Sequence, residues 1–175
     1  ELPKDIQWHF IGHLQTNKIK YIASFVTLIH SIDSASLLEA VNKEAIKNNR
    51  VIDCLLQFHI AQEDTKFGLD LEEARLLLES DSYKNLKNIN IVGVMGMATF
   101  TDDVNQVRNE FKTLKNIFDT LKENYFKDDS FKEILVPNLS IESMEKIGSQ
   151  IEEFTKIIYI NNCKISNLKN QKEQY

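Results

Sequence analysis

Apolar runs of strand length alternate with helical patterns along most of the chain. The first run covers residues 8–11, and a short helical pattern follows over 14–24. A second run, "VTLIHSI", occupies 26–32. The next pattern has Asp33 or Ser34 as its cap, with Leu37, Leu38, Val41 and Ala45 on one face. The strongest run is "VIDCLLQFHI", 51–60, nearly continuous in apolar residues as a strand covered on both faces should be. Beyond a loop carrying Gly68, Asp70 opens a helix with Glu73 as its capping-box partner. "INIVGV" at 89–94 is the next strand. The clearest helix follows Asp102: Val104, Val107, Phe111, Leu114, Phe118, Leu121 and Tyr125 recur at spacings of three and four. A short strand is expected at 133–136, a helix from about Ser140, and a last strand in "KIIYI" before a polar tail.

Strict alternation of strand and helix predicts parallel strands joined by right-handed crossovers. No Gly-x-Gly-x-x-Gly follows the first strand, so a dinucleotide fold loses its main cue. The expected fold is α/β, part of a (β/α)8 barrel rather than a doubly wound sheet. In such a barrel the chemistry sits where strands run into the following loops. His9, Gly12, His13 and Gln15 stand at that position after the first strand.

Charge and cysteine usage narrow the classes. A net charge of −5 gives the chain no bulk attraction to nucleic acid or anionic membranes. No apolar run approaches the roughly 18 residues of a membrane span. Two unpatterned cysteines, Cys54 and Cys163, suggest a reducing compartment, and the expected location is cytoplasmic.

Several residues have both a chemical and a packing reading. His9, at a strand end, lines a pocket or packs as a core histidine. His9, His30 and His59 all fall late in strands, but no His-x-His stands on one strand, and no metal site is expected. Gln15, Asn17 and Lys18 read as caps and a solvated turn, with Lys18 alternatively approaching the mouth of a cofactor pocket or a facing carboxylate. Lys66, beside Gly68, attracts an anionic phosphate ester or pairs with Glu63 or Asp64 in solvent; its acidic neighbours make it a poor Schiff-base lysine. Met95 and Met97 flank Gly96, so a flat ring could stack on a thioether while glycine allows close approach, or the methionines fill the core. Cys54 reads as a small buried hydrophobe.

"WHFIGHLQTNK" resembles the signature of the YggS/PROSC family of pyridoxal 5′-phosphate (PLP) homeostasis proteins, relatives of the N-terminal barrel of alanine racemase. "LIHSIDS", "CLLQFHIAQEDTKFGL" and "IVGVMGMATFTDD" agree in order and spacing, so the resemblance covers about 7–134. It implies PLP as cofactor, bound and buffered or delivered without established turnover, with PLP-dependent apoenzymes as recipients. It implies a barrel domain over 1–160, divergent after 135, and a tail over 161–175. His9, Gly12, Met95, Gly96 and Lys66 become the expected cofactor contacts.

The departures are as informative. The family's Schiff-base lysine, on the first barrel strand, would lie upstream of Glu1, so the chain reads as a fragment without the front of the domain. The family's Gly-Met-Ser loop and Arg-Ile-Gly segment have no counterpart in "EILVPNLSIES" and beyond. PLP binding is therefore expected to be impaired. The family is typically monomeric, but a fragment with open sheet edges is expected to self-associate. The other readings are a barrel enzyme acting on a small phosphorylated metabolite, a racemase-like PLP enzyme, and an inactive structural remnant.

Overall fold

The computed structural model describes residues 5–61, 67–99, 101–131 and 133–135. Lys66, Cys163, the helix expected from Ser140, the "KIIYI" strand and the boundary between barrel and tail at 160 lie outside them. The elements in chain order are β1 (Trp8–Phe10), a 3-10 turn (Thr16–Lys18), α1 (Ile19–Ile22), β2 (Val26–Ile32), α2 (Ala35–Lys47), β3 (Ile52–Phe58), α3 (Leu71–Glu79), α4 (Asp81–Lys84), β4 (Ile89–Gly96), α5 (Val104–Asn124) and β5 (Glu133–Leu135).

The five strands form one parallel sheet in the order β1-β2-β3-β4-β5. A doubly wound sheet reverses its strand order at a switch point. Here each crossover moves one strand further in the same direction, as in a (β/α)8 barrel. Among the described residues the barrel is partial and does not close. None of their helices is long and apolar enough to cross a membrane.

The helices cover one face of the sheet. Ile29, Ile32, Cys54, Leu56, Phe58, Ile91 and Val94 pack with Leu38 and Val41 of α2, Ala74 of α3, and Phe111, Leu114 and Leu121 of α5. The other face carries a separate small cluster of Leu55, Val92 and Met95, edged by Leu28 and Met97. Among the described residues no helix residue belongs to that second cluster, which marks it as the inner, barrel-lining face.

Caps fix the helices where the sequence calls for them. Ser34 caps α2 by accepting from the Leu37 N–H, and Asp70 and Glu73 form the reciprocal capping box of α3. Asp103 caps α5, accepting from the Asn105 and Gln106 N–H groups. The helix expected over 14–24 is shorter than its pattern. Gln15 supplies the cap position but no side-chain capping bond, and a 3-10 turn and a single α-turn result. Gln15, Asn17 and Lys18 are exposed, a solvated turn without the amide cap expected there. α4, which the apolar pattern does not show, starts at Ser80, whose hydroxyl accepts from the Tyr83 N–H. Cys54 is fully buried in the helix-side core, as its apolar setting requires. Burial first, and Asp53 second, push its thiol pKa up, so it stays a thiol.

Candidate functional site

Three strand-exit loops converge at the carboxyl ends of the sheet. His13, just after β1, stacks on Phe67 from the loop after β3, with ring centroids 4.4 Å apart. His13 Nδ1 also lies 3.5 Å from Asp33 Oδ2, in the turn after β2, a contact that becomes an ion pair when the imidazole is protonated. Gly12 makes this turn possible. Its φ of +101° lies in the left-handed region that favours glycine, and a Cβ there would meet nothing within 4 Å. The backbone at Gly12 thus borders open space. Gly68 has φ +143° and passes so close to β3 that a Cβ would stand 2.5 Å from the His59 nitrogen. That proximity lets Leu69 bridge to the end of β3, where its N–H donates to Gln57 O and its O accepts from the His59 N–H.

Beneath the loops, the inner face presents His9, His30, Gln57 and Met95. His30 Nε2 and His9 Nδ1 are 3.1 Å apart, with the rings tilted by 53°. The two histidines therefore meet edge to edge through nitrogen rather than by stacking. His30 is 2% exposed. Burial first, and His9 second, lower its pKa from 6.5 to about 4, so it is neutral at neutral pH. Gln57, also buried, donates from Nε2 to Phe67 O and steadies the loop above it. Met95 pairs in register with Gln57 and joins Leu55 and Val92 in the inner apolar cluster.

The structure separates Gly96 from Met95. Gly96 pairs with Phe58, and a Cβ on it would meet Ile60 Cδ1 at 2.7 Å and Leu114 Cδ2 at 3.2 Å. The close approach at Gly96 is to the helix-side core. His9 and Met95 share the inner face, while Gly12 borders it from the loop and Lys66 lies outside the described residues. His59 stands beyond the end of β3 and is exposed. Among the described residues no group of three or more His, Cys, Asp or Glu gathers as a metal cage.

Glu110 escaped the sequence reading. It is buried on α5, where its carboxylate accepts from the Thr99 N–H and hydroxyl, each at 2.7 Å, and from Gln106 Nε2 at 3.1 Å. It ties the loop after β4, which carries Met97, to the helix. The signal was present, since Glu110 stands among Val107, Phe111 and Leu114 on the apolar stripe, where a carboxylate needs partners.

Residues 4–132 match the family model described as alanine racemase, N-terminal domain. A pyridoxal phosphate homeostasis protein of Aquifex aeolicus is 35% identical over 156 residues, 89% of this chain and 64% of that protein. One from Helicobacter pylori is 35% identical over 118 residues, 67% of this chain and 53% of its own length. The chain thus spans about half to two thirds of the length of these relatives. Among solved structures, PipY of Synechococcus elongatus aligns over 76% of this chain and 60% of its own, with TM-score 0.67 and 26% identity. The same protein with PLP bound gives TM-score 0.64 and 25% identity over 76% of this chain and 59% of its own. Alanine racemase of Clostridium difficile, 14% identical with TM-score 0.57 over 73% of this chain and 34% of its own, shares the fold.

Proposed function

The chain belongs to the alanine racemase N-terminal-domain family, and from that premise we propose that it binds PLP at the carboxyl ends of its strands, as a carrier rather than a catalyst. The observation that carries this reading is the joint likeness to relatives named for PLP homeostasis and to a neighbour solved with PLP bound. The chemistry of the strand ends fits the ring of such a ligand. Met95 and Leu55 offer an apolar surface to a flat ring. His30, held by His9 through Nε2, offers its other nitrogen at the ring edge. The open backbone at Gly12 lets the ligand approach without meeting a side chain.

When bound, PLP supplies an electrophilic aldehyde and an electron-poor ring. β1 to β4 carry no lysine or arginine to bond that aldehyde or neutralise the phosphate. The hold proposed for this chain is therefore weak and reversible, through the ring and the loops. Lys66, which falls between β3 and α3 in the sequence, is the cation proposed to attract the phosphate. Gly96 supports the site from behind, by letting β4 lie close to Ile60 and Leu114. PLP-dependent apoenzymes in the cytoplasm are the proposed recipients. Among the described residues β1 is the outermost strand of the sheet, and it is the proposed seam of self-association.

Trp8, the only tryptophan, neighbours His9 on β1 and reports on the site. Titrating the chain with PLP should quench its fluorescence to saturation, and dialysis should restore it. Quenching that never saturates would sink the binding reading. One PLP per chain retained through dialysis and lost on changing Lys66 or Lys18 would replace the reversible hold with a covalent one.

A further inference from the structure

The pairing between β2 and β3 slips at one place. Ile29 pairs with Cys54 and Ile32 with Leu56, so β2 sets two residues, His30 and Ser31, across from Leu55 alone. This is a β-bulge, the device that re-aims side chains beside binding sites. Ile29, Ile32, Cys54 and Leu56 all pack on the helix side, whereas Leu55 belongs to the inner face. The bulge falls at the fifth and sixth positions of the seven-residue strand, at its carboxyl end.

Both bulge residues are buried, and each holds a polar atom that has no partner among the described residues: His30 Nδ1 and Ser31 Oγ. A buried polar atom left unpaired is costly, and native structures keep few of them. Two in succession, on a bulge, at the ligand end of a parallel sheet, call for an external partner. His30 Nε2 is already engaged by His9 Nδ1. A neutral imidazole has one donor and one acceptor. Whichever proton placement the pair adopts, Nδ1 of His30 is left to serve a ligand.

The surroundings select the chemistry of that ligand. A phosphate dianion wants cations or converging backbone N–H groups, and β1 to β4 supply no lysine or arginine. The adjoining inner-face residues are Leu55 and Met95, which suit a flat apolar body. We propose that His30 Nδ1 and Ser31 Oγ form a subsite for the polar edge of a pyridine ring, its ring nitrogen or phenolic oxygen, with His9 as the positioning residue that fixes the His30 tautomer. The proposal rests on the PLP reading and deepens it by assigning the ring edge to β2.

The experiment uses the full chain labelled with 15N-histidine and long-range proton–nitrogen NMR, with His30→Phe to assign the signals. PLP should shift the His30 Nδ1 resonance over the concentration range that quenches Trp8. Pyridoxine, which keeps the ring edge but lacks aldehyde and phosphate, should shift the same resonance. Inorganic phosphate should leave it in place. Ser31→Ala should weaken PLP binding by about tenfold, the worth of one hydrogen bond near the top of its usual range. His9→Ala should move the His30 nitrogens even without ligand. Saturable quenching with an unmoved His30 resonance and undiminished binding by Ser31→Ala overturns the subsite and leaves the PLP reading standing. An equal response to inorganic phosphate overturns it as well, and absence of saturable quenching overturns both. If His30→Phe fails to fold, by circular dichroism, the wild-type titrations and Ser31→Ala decide the matter.

Discussion

The two ends of the sheet treat polar groups in opposite ways. At the amino-terminal ends of β3 and β4, each polar side chain in the network is used. Asn42 of α2, buried, accepts from the Asn88 N–H at 2.8 Å. Asn88 donates to Arg50 O, and Arg50 reaches the carbonyl of Ala23 after α1. Asn90 bonds Asp53 across the two strands. At the carboxyl ends, His30 and Ser31 each keep a buried atom unpaired among the described residues, and glycines with positive φ shape the loops. One end is closed by its own hydrogen bonds, and the other holds unused capacity. That is the division expected between a stabilising end and a ligand end of a parallel barrel.

The largest test of this contrast is the pH dependence carried by His30. Its pKa is about 4 when folded and 6.5 in the ordinary state. Between those values the unfolded chain binds more protons, so stability rises with pH across that window. The contribution is complete above 6.5 and is lost as pH falls to 4, worth roughly 3 kcal/mol. Urea unfolding from pH 4 to 7 should show this slope in the wild type and a flatter one in His30→Phe; equal slopes would contradict the placement of His30. Next is the clamp under the β4 loop. Glu110→Ala removes three hydrogen bonds to a carboxylate and should cost about 2–3 kcal/mol, with Glu110→Gln recovering part. Asn42→Ala should cost about 1–2 kcal/mol by stranding the Asn88 N–H, without changing PLP affinity. The smallest effect is the most telling. Ser31→Ala removes a buried hydroxyl that has no partner, so it should cost less than about 0.5 kcal/mol or stabilise the fold. A loss comparable to that of Asn42→Ala would erase the difference between the ends.

Much of this architecture was legible in the sequence, for physical reasons. A strand covered on both faces is rich in apolar residues, so 26–32 announces β2 to the residue and 51–60 announces β3 with its ends too long. α5 declares itself by its stripe and by Asp103 as cap. The motif "WHFIGHLQTNK" pointed to a family related to the alanine racemase N-terminal domain, and the match over 4–132 establishes that domain family. The site was less legible, because register is not written along one strand. Nothing in "LIHSIDS" says that His30 and Ser31 both oppose Leu55. Nor does it say that His30 meets His9, twenty-one positions away. Gly96 has a packing reason that the sequence does not show: a Cβ on it would meet Ile60 and Leu114. Strand length was overestimated at 51–60 because β3 ends where its partner β4 does, at the Phe58–Gly96 pair.

The central claim is that the carboxyl ends of the strands are the ligand end. The most direct measurement is an amide chemical-shift map of the full chain during a PLP titration. Saturable shifts should concentrate at 9–13, 30–33, 55–57 and 95–99, with 48–53 and 86–90 unmoved. Shifts centred on 48–53 and 86–90, or scattered over surface lysines without saturation, would contradict it.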